Sequence, residues 1–324
     1  MLKKIVNEAY FTLRITTTGP LLIKSGQPTI SGPDMTPVLT FRNGQYEVFL
    51  PGSSLKGVFR SHLEKIACSL KPRVVCYPFS GGKETGADLI QRQRDYRDSC
   101  GAVLQKEQVT NIVYDKSCPA CRLFGSTAFI GRVAISDAYL ISPSATEQRD
   151  GVGIDRLTGG ASHGAKFELE VVSTGVSFET DIHLRNFEIW QLGMLFAVIQ
   201  DMEDELIRIG SGRSRGLGKI IATLSDEERD RRSRGVVISS IREGAEPDNE
   251  LWGLGKWLED DKSYGTWEDD LLVLSRPVER TQRGIRSIRS FNGDDLSALR
   301  DATIEDFVKR IRNWPEQQAA IAAR

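Results

Sequence analysis

A run of glycines and cations between Gly210 and Lys219 carries the clearest chemical signal in this sequence. Four glycines alternate there with Arg213, Arg215 and Lys219. Glycine lets the main chain approach a ligand closely with φ of either sign, and successive backbone N–H groups form an anion-binding concavity. Arginine and lysine add positive charge that contacts phosphate without selecting a base. The segment therefore predicts a grip on a nucleic-acid backbone, and a flexible turn between a helix and a strand is the alternative.

All the cysteines of the chain lie within one irregular stretch, and the spacing of two of them favours a metal site. Cys118 and Cys121 form a C-x-x-C knuckle, from which two thiolates can bind one tetrahedral Zn²⁺. The predicted ligands are Cys76, Cys100, Cys118 and Cys121, with Cys68 or His62 as substitutes. Four thiolates leave no open coordination position, so the Zn²⁺ is predicted to be structural. A redox C-x-x-C and a set of buried, unliganded cysteines are the alternatives.

Asp34 is the acidic residue that we single out for a catalytic role. It lies in a loop from Gln27 to Pro37 that is framed by prolines and a glycine. A carboxylate there could coordinate Mg²⁺ or position a nucleophile during RNA cleavage, whereas most aspartates in such loops form turns. The sequence contains no Ser/His/Asp arrangement, no P-loop and no paired-carboxylate motif with convincing spacing.

Composition places the chain among soluble globular proteins. It has 324 residues, of which 40% are hydrophobic and 27% are charged, enough for one large domain or two. The formal net charge is -1, so any contact with nucleic acid must come from local patches. No run is apolar enough to span a bilayer or to act as a signal peptide, which predicts a cytoplasmic protein with reduced thiols.

Hydrophobic periodicity predicts an α+β fold with six strands and two long helices. Strands are expected over 10–17, 46–50, 132–140, 166–172, 176–184 and 219–224. The segments 166–172 and 176–184 are expected to form a hairpin about Thr174 and Gly175. Within this set, the order strand, helix, strand, strand, helix, strand is that of a split βαβ, or ferredoxin-like, domain.

The two helices are predicted from their caps and their apolar spacing. Ser53 and Ser54 are N-cap candidates for the first helix, in which Gly57 suggests close packing by a crossing strand or by a ligand backbone. The second helix is expected to be capped by Asn186 and to end at Gly210.

Three segments stand outside this framework. Residues from about 68 to 122 hold the cysteines and break the periodicity, which indicates a metal-binding insertion. A polar excursion covers about 141–165. Composition changes after Ser225, and this predicts a domain over 1–225 followed by a C-terminal extension or small second domain over 226–324. The arginines spaced from Arg276 to Arg289 in that extension are interpreted as a solvated face rather than an added phosphate contact.

These motifs, in their order along the chain, resemble the RAMP superfamily, and specifically the backbone subunits of type III CRISPR effector complexes of the Csm and Cmr class and type III-D relatives. The resemblance runs from about Tyr10 to Leu224. It rests on Asp34 in its loop, on Pro51-Gly52-Ser53-Ser54-Leu55-Lys56-Gly57, on Cys118-Pro119-Ala120-Cys121-Arg122-Leu123-Phe124-Gly125, on Gly153-Ile154-Asp155-Arg156-Leu157-Thr158-Gly159 and on the run from Gly210 to Lys219, called the Gly-Arg loop below. It implies an RRM-like palm that carries insertions and stacks in copies along a guide RNA.

The resemblance also assigns roles to individual residues. The implied contacts to guide backbone are Ser53, Ser54, Lys56, Gly57, Gly212, Arg213, Ser214, Arg215, Gly216, Gly218 and Lys219. Arg156 and Thr158 would belong to a thumb-like hairpin that interrupts the guide–target duplex. Asp34 matches the loop aspartate on which cleavage of target RNA with Mg²⁺ or Mn²⁺ depends in active members, through attack of a ribose 2′-hydroxyl on the adjacent phosphate.

The expected partners are guide CRISPR RNA, target RNA and other effector subunits, including like subunits. No interaction with a membrane is expected. Sequence recognition would come from guide pairing, while the protein reads shape and backbone. The predicted function is that of a guide-binding endoribonuclease subunit in antiviral defence. A non-catalytic structural or capping subunit that binds RNA in the same kind of complex is the alternative.

Overall fold

One long strand, β1 (Asn7–Thr17), forms the centre of the main sheet in the computed structural model. The structure describes residues 4–26, 32–78, 97–225, 235–241, 246–258 and 267–315. Phe11, Leu13 and Ile15 of β1 are buried, as the predicted alternation requires. β10 (Ser177–Arg185) pairs antiparallel with one edge of β1, from Glu8 opposite Arg185 to Thr16 opposite Ser177.

Two strands share the opposite edge of β1. β11 (Ile220–Leu224) pairs with the C-terminal half of β1, and β12 (Val236–Ser240) pairs with the N-terminal half, both antiparallel. β12 therefore continues the line that β11 begins. The residues after 235 complete the sheet that the first 225 residues leave open along half of one edge.

Shorter strands extend the sheet at both sides, and the fold is mixed α+β with an antiparallel main sheet. β6 (Val133–Ile135) and β7 (Tyr139–Leu140) pair with β10, while β16 (Arg286–Phe291) and then β15 (Arg280–Arg283) lie beyond β12. Among the residues described, four antiparallel pairs lie outside this sheet: β2 (Leu39–Arg42) with β3 (Gln45–Val48), β4 (Gly125–Ser126) with β5 (Phe129–Ile130), β8 (Thr146–Ile154) with β9 (Ala161–Val172), and β13 (Glu250–Trp252) with β14 (Leu271–Val273).

The predicted hairpin about Thr174 and Gly175 is wrong, because β9 pairs with β8 whereas β10 pairs with β1. The burial patterns explain the choice. β10 has alternate buried residues that fit the core face of the main sheet, while the first half of β9 is exposed and extends away from it.

In the described ranges, three long helices and four short ones complete the fold. They are α1 (Gly52–Leu70), α2 (Cys100–Leu104), α3 (Thr110–Lys116), α4 (Pro119–Phe124), α5 (Ile189–Glu203), α6 (Leu254–Trp257) and α7 (Gly293–Arg312). α7 packs against α5, where Gly193 allows the closest approach: a Cβ there would overlap the Thr303 carbonyl. The C-terminal segment thus covers α5 as well as extending the main sheet.

The predicted serine cap of α1 is wrong. The helix begins at Gly52, and the N–H of Gly52 donates to Asp137 Oδ1 at 2.7 Å. A Cβ on Gly52 would overlap the Ile135 carbonyl, so the chain enters the helix pressed against the strand that leads to Asp137. Ser53 and Ser54 consequently lie inside the first turn, where their hydroxyls do not cap the helix.

The cap of α5 also differs from the prediction. Glu188 is the N-cap and forms a reciprocal capping box with Gln191. Asn186 instead accepts a hydrogen bond from the N–H of Val6 at 2.8 Å. This bond joins the end of β10 to the residue that precedes β1. The helix ends at Glu203 rather than Gly210, and Leu206 is exposed.

The arginines between Arg276 and Arg289 mostly face carboxylates. Arg289 is buried and pairs with Glu246 at 2.9 Å, and Arg286 pairs with Glu8. The interpretation of this series as a solvated face is therefore wrong for Arg289. The carboxylate partners equally remove the reason to assign these arginines to phosphate.

We expect Asp137→Ala to lower the free energy of unfolding by about 1 kcal/mol, the usual cost of losing a helix cap. Asp137→Asn should cost less, because the amide oxygen still accepts from the N–H of Gly52. The midpoint and slope of urea unfolding measure both variants. Equal loss in the two variants would assign the effect to the charge of Asp137 rather than to the cap.

Candidate metal centre and RNA interface

Four buried cysteines form a cluster. The Sγ atoms of Cys76, Cys100, Cys118 and Cys121 all lie within 4.8 Å of one another, and each residue is at most 2% exposed. These are the four predicted ligands. Within the described part of the chain this is the one group of three or more histidine, cysteine or acidic residues that could hold a metal ion.

Short local structure brings these cysteines together. Cys118 is the N-cap of α4, and its Sγ accepts from the N–H of Cys121 at 3.4 Å. Cys100 begins α2, and its Sγ accepts from the N–H of Cys118 at 3.3 Å. Cys76 lies on an isolated bridge to Arg97. Residues 79–96 of the predicted insertion lie outside the described residues.

The cluster fits a tetrahedral zinc ion. Zn–S bonds of about 2.3 Å place tetrahedral sulfurs about 3.8 Å apart, which agrees with the observed spacing. Burial raises the pKa of Cys118, but hydrogen bonds from Cys100 and the other thiols outweigh it and hold that pKa well below its ordinary value. Contacts with the Cys100 and Cys118 thiols raise the pKa of Cys76, and burial adds to that shift. A divalent cation would allow all four sulfurs to ionise together.

The two predicted substitute ligands lie outside the cluster. His62 Nε2 is 2.5 Å from Asp201 Oδ2, in a polar contact that joins α1 to α5. Cys68 is half-buried on α1 and does not belong to the group of four. The structure therefore favours Cys76 and Cys100 as the partners of the C-x-x-C knuckle.

Arg60 connects the cysteine cluster to α1, and the sequence prediction missed it. Its Nη2 donates to Cys121 Sγ at 3.4 Å, its Nη1 to the Gly125 carbonyl at 2.9 Å and its Nε to Glu64 at 2.8 Å. A positive charge beside the cluster offsets part of the negative charge that four thiolates around Zn²⁺ would carry. The i,i+4 spacing of Arg60 and Glu64 was the only sequence signal for this role.

A buried polar network fastens the same region to α5 and to the C-terminal segment. Tyr114 of α3 donates to Glu188, the N-cap of α5, and Trp190 Nε1 donates to the same carboxylate at 2.9 Å. The Arg122 guanidinium lies 3.7 Å from Glu188 and stacks over Trp314. Burial raises the pKa of Tyr114, and the nearby Glu188 carboxylate adds to that shift. The region that holds the cysteines is therefore anchored to the core at several points.

The Gly-Arg loop is a short turn with exposed cations. Arg213–Arg215 form one 3₁₀ turn between Gly212 and Gly216, whose φ values of 70° and 86° favour glycine. Arg213, Ser214 and Arg215 are exposed. This geometry presents two guanidinium groups to solvent.

Two of the predicted RNA-contact residues in the same loop hold the loop against neighbouring segments of the protein. Gly218 is buried, and its N–H donates to the Pro20 carbonyl at 2.8 Å. Lys219 Nζ pairs with Glu205 at 2.5 Å. The backbone N–H of Ser211 likewise donates to the Leu22 carbonyl at 2.7 Å. The loop is therefore less of an open anion-binding concavity than its glycines predict.

The first turns of α1 lie beside this loop. Ser54 and Ser211 line one cleft of about 260 Å³, which brings the two predicted contact loops together. Ser53 and Gly57 are exposed, and a Cβ on Gly57 would meet no described atom within 4 Å. The expected crossing strand at Gly57 is therefore wrong, and the alternative of a ligand backbone stays a prediction.

Lys56 faces the protein more than the solvent. Its Nζ donates to the Val133 carbonyl at 3.2 Å. Burial, together with the nearby Arg60 guanidinium, lowers the pKa of Lys56. Lys56 therefore contributes to the packing of α1 against β6 as well as to local positive charge.

A small apolar cluster joins the Gly-Arg loop to the hairpin of β8 and β9. Leu22, Leu169, Val171 and Leu217 are buried together, with Met35 and Phe167 packed against them. Arg215 lies over the Phe167 ring, 5.4 Å from its centroid. Gly151 of β8 makes room for that ring, since a Cβ there would overlap it. Phe167 was missed by the sequence prediction and orients the loop arginine.

Asp34 lies at the same junction. Its Oδ2 accepts a hydrogen bond from the N–H of Glu168 at 2.8 Å, and the adjacent Met35 bridges to Leu169 of β9. The residue is exposed, while residues 27–31 of its loop lie outside the described residues.

Arg156 and Thr158 lie in the turn that connects β8 to β9 and are exposed. Asp155 Oδ1 stabilises the turn by accepting from the N–H of Leu157 at 2.8 Å. The Leu157 side chain is 97% exposed. The hydrogen bonds of the turn stay within it, so these predicted residues are presented at the end of a projecting hairpin.

The family comparison agrees with this architecture. The model of the RAMP superfamily matches residues 14–221. No curated protein matches the chain. Across the described ranges, no helix combines the length and the apolar character needed to cross a membrane.

We expect the purified protein to hold about one Zn²⁺ per chain, and the double variant Cys118→Ser with Cys121→Ser to lose it. Because the ion would join segments with little core of their own, its loss should cost roughly 3–5 kcal/mol, or about 5–10 °C in melting temperature. Elemental analysis and thermal unfolding measure the two effects. Cys68→Ser is the control, and metal-free protein of full stability would contradict the prediction.

Proposed function

The chain belongs to the RAMP superfamily, and from this membership we propose that it is a guide-RNA-binding backbone subunit of a type III CRISPR interference complex. The superfamily itself indicates a CRISPR-associated RNA-binding subunit. The more specific assignment is supported by the motifs around Asp34, Ser53 and Arg156. A ferredoxin-like palm is supported by the antiparallel order β11, β1, β10, β6, with α1 between β1 and β6 and α5 between β10 and β11.

The observation that carries the proposal is the meeting of two loops predicted to contact RNA at one surface. Ser54 of α1 and Ser211 of the Gly-Arg loop line the same cleft, and Arg213 and Arg215 lie exposed a few residues beyond it. Guanidinium groups in an exposed turn can bind successive phosphates without selecting bases. This arrangement suits a subunit that holds guide RNA of any sequence.

The projecting hairpin of β8 and β9 is proposed as the thumb-like element. Its turn presents Arg156, Leu157 and Thr158 to solvent, while its base packs on the apolar cluster beside the Gly-Arg loop. A hairpin fixed at its base and exposed at its tip can interrupt a duplex that lies along the palm. The metal-binding insertion over about 68–122, the thumb-like insertion over about 141–165 and the extension over 226–324 complete the proposed organisation.

Cleavage of target RNA is the second part of the proposal. Asp34 is exposed beside the base of the hairpin, where a target strand would pass. In the proposed reaction a ribose 2′-hydroxyl attacks the adjacent phosphate and the 5′-oxygen leaves, so the products carry a 2′,3′-cyclic phosphate and a 5′-hydroxyl. Asp34 would hold Mg²⁺ or Mn²⁺, or align the scissile linkage.

One observation favours the alternative of a non-catalytic structural subunit. Asp34 already has a structural partner, because its Oδ2 accepts from the N–H of Glu168. The aspartate would then fix the loop to β9 without taking part in chemistry.

We expect the protein, purified from its native host with its partners, to carry short RNAs of uniform start that join a repeat-derived tag to a variable spacer. Sequencing of the bound RNA tests this, and RNA from an unrelated complex purified from the same cells is the control. A mixture of ordinary transcripts would contradict guide binding and leave a general RNA-binding role.

We expect Arg213→Ala with Arg215→Ala to weaken binding of single-stranded RNA regardless of sequence. Loss of two phosphate contacts should reduce the slope of log K against log salt by about 1.4. Fluorescence anisotropy at several salt concentrations measures that slope. The matched control is Arg283→Ala with Arg312→Ala, which removes the same charge from exposed positions elsewhere. An unchanged slope in the first variant would place the RNA grip on another surface.

We expect Asp34→Asn to slow target cleavage by the assembled complex about 100-fold, because a misplaced metal or scissile bond costs that much. The asparagine side chain still accepts from the N–H of Glu168, so guide binding should persist. Single-turnover cleavage of labelled target measures the rate. Wild-type cleavage by Asp34→Asn, with slower cleavage by Asp34→Ala, would assign Asp34 to the structural role.

A further inference from the structure

Arg60 holds α1 against the cysteine cluster through a fork of hydrogen bonds. Its Nη2 donates to Cys121 Sγ at 3.4 Å, and its Nη1 donates to the carbonyl of Gly125, the C-cap of α4, at 2.9 Å. Its Nε donates to Glu64, one turn further along α1, at 2.8 Å. All three guanidinium nitrogens therefore have partners, and two of them bind α4 and its cap. A planar group held in this way fixes the distance and the angle between the two helices.

The contact of Arg60 belongs to a polar stripe along one side of α1. Gly52, Lys56 and Arg60 are spaced four residues apart, so they lie one above the other on the same face of the helix. The N–H of Gly52 donates to Asp137, and Lys56 Nζ donates to the Val133 carbonyl. The stripe is thus held at successive turns, and together its contacts set the rotation of α1 about its own axis.

The neighbouring side of α1 faces solvent. Ser53 follows Gly52 and Gly57 follows Lys56 along the chain, and both Ser53 and Gly57 are exposed. Consecutive residues point about 100° apart around a helix, so any rotation of α1 moves Ser53 and Gly57 as well. The position of these two predicted RNA contacts therefore depends on the contacts of the polar stripe.

Of the three stripe contacts, the one made by Arg60 reaches a predicted metal ligand. Four thiolates around Zn²⁺ have a net negative charge, which a hydrogen-bonded guanidinium stabilises. α4 carries Cys121, so metal binding at the cluster would also fix the helix on which Arg60 rests. The hold of Arg60 on α1 is therefore the part of the stripe that depends on the metal.

We propose that Arg60 is a positioning residue that links metal binding at the cysteine cluster to RNA binding at the first turns of α1. The metal half of this link stands on the contacts of Arg60, and the RNA half rests on the guide-binding function proposed above. Linkage between two binding sites is reciprocal. Bound RNA should therefore raise metal affinity by the same factor by which bound metal raises RNA affinity.

The first measurement concerns the metal and uses no RNA. The full-length protein is titrated with Zn²⁺ against a competing chelator, and Co²⁺ serves as a spectroscopic probe of the thiolates. Arg60→Met removes the donors, so it should bind Zn²⁺ roughly 10- to 100-fold more weakly. It should also shift the sulfur-to-cobalt charge-transfer bands to lower energy, because Cys121 loses a hydrogen bond. Lys65→Met removes the same charge from an exposed position on α1 and is the control.

The second measurement concerns RNA. Removal of zinc from the wild type should weaken binding of single-stranded RNA about fivefold, which is the lower end of ordinary coupling between two sites. Arg60→Met saturated with Zn²⁺ should bind RNA as weakly as the metal-free wild type, and removal of its zinc should have no further effect. Arg60→Lys keeps the charge but not the fork. It should keep more of the zinc affinity than Arg60→Met and still lose the coupling.

The outcomes separate the two halves of the link. An unchanged zinc affinity and cobalt spectrum in Arg60→Met would overturn the role of Arg60 at the metal. Equal RNA affinity of the zinc-loaded wild type and zinc-loaded Arg60→Met would overturn the link and leave guide binding standing. Failure of the wild type to bind RNA with or without zinc would overturn the guide-binding function and the RNA half together.

A destabilised variant distinguishes this link from a simple loss of stability. Val236 is buried in the main sheet, so Val236→Ala should lower the midpoint of urea unfolding by leaving a cavity. It should keep the zinc affinity and the coupling to RNA, because it leaves Arg60 and α1 in place. Loss of the coupling in Val236→Ala would overturn the proposal, since reduced stability would then account for the effect of Arg60→Met.

Discussion

The pairing of both edges of β1 is the constraint on which the rest of the structure depends. A buried strand must place its backbone N–H and C=O groups in hydrogen-bonded ladders, because an unpaired group away from water costs as much as a lost hydrogen bond. β10 satisfies one edge, but β11 reaches only half of the other. β12 supplies the missing half, and the C-terminal segment that contains it also places α7 over α5. The elements that carry the candidate site are thus fixed by a sheet that draws on nearly the whole chain.

The cysteine cluster and α1 are linked by charge. Four thiolates around a divalent ion would carry a net negative charge inside the protein, and a buried charge is stable only when it is paired or hydrogen-bonded. Arg60 provides a guanidinium at Cys121, while N–H groups of α4 and its cap donate to sulfur. Arg60 lies on the same helix whose first turns border the cleft. A proposed metal centre in this place would therefore hold the orientation of the helix that carries Ser54, a predicted RNA contact.

Burial divides the predicted RNA-binding residues into two groups. Arg213 and Arg215 are exposed on a turn that glycines make possible, and they are available to phosphate. Gly218 and Lys219 are committed to the fold of the same loop through the Pro20 carbonyl and Glu205. One compact apolar cluster carries the loop, the Asp34 segment and the base of the hairpin. This shared support holds three segments that are far apart in sequence next to one another, as their proposed action on one RNA requires.

The sequence by itself determined the features that depend on neighbours along the chain. Alternation identified β1, apolar spacing identified α1, and the C-x-x-C knuckle predicted a cluster that the structure forms with Cys76 and Cys100. These signals are local, because periodicity and turn chemistry act over a few residues. What a strand or polar group meets at a distance was decided only by the tertiary structure. Asn186 is a plausible cap by type, but it is held by Val6, and β9 turns from β10 to pair with β8. A local pattern indicates that such groups need partners. Which partners they receive depends on the burial of apolar faces and on the satisfaction of hydrogen bonds across the whole chain.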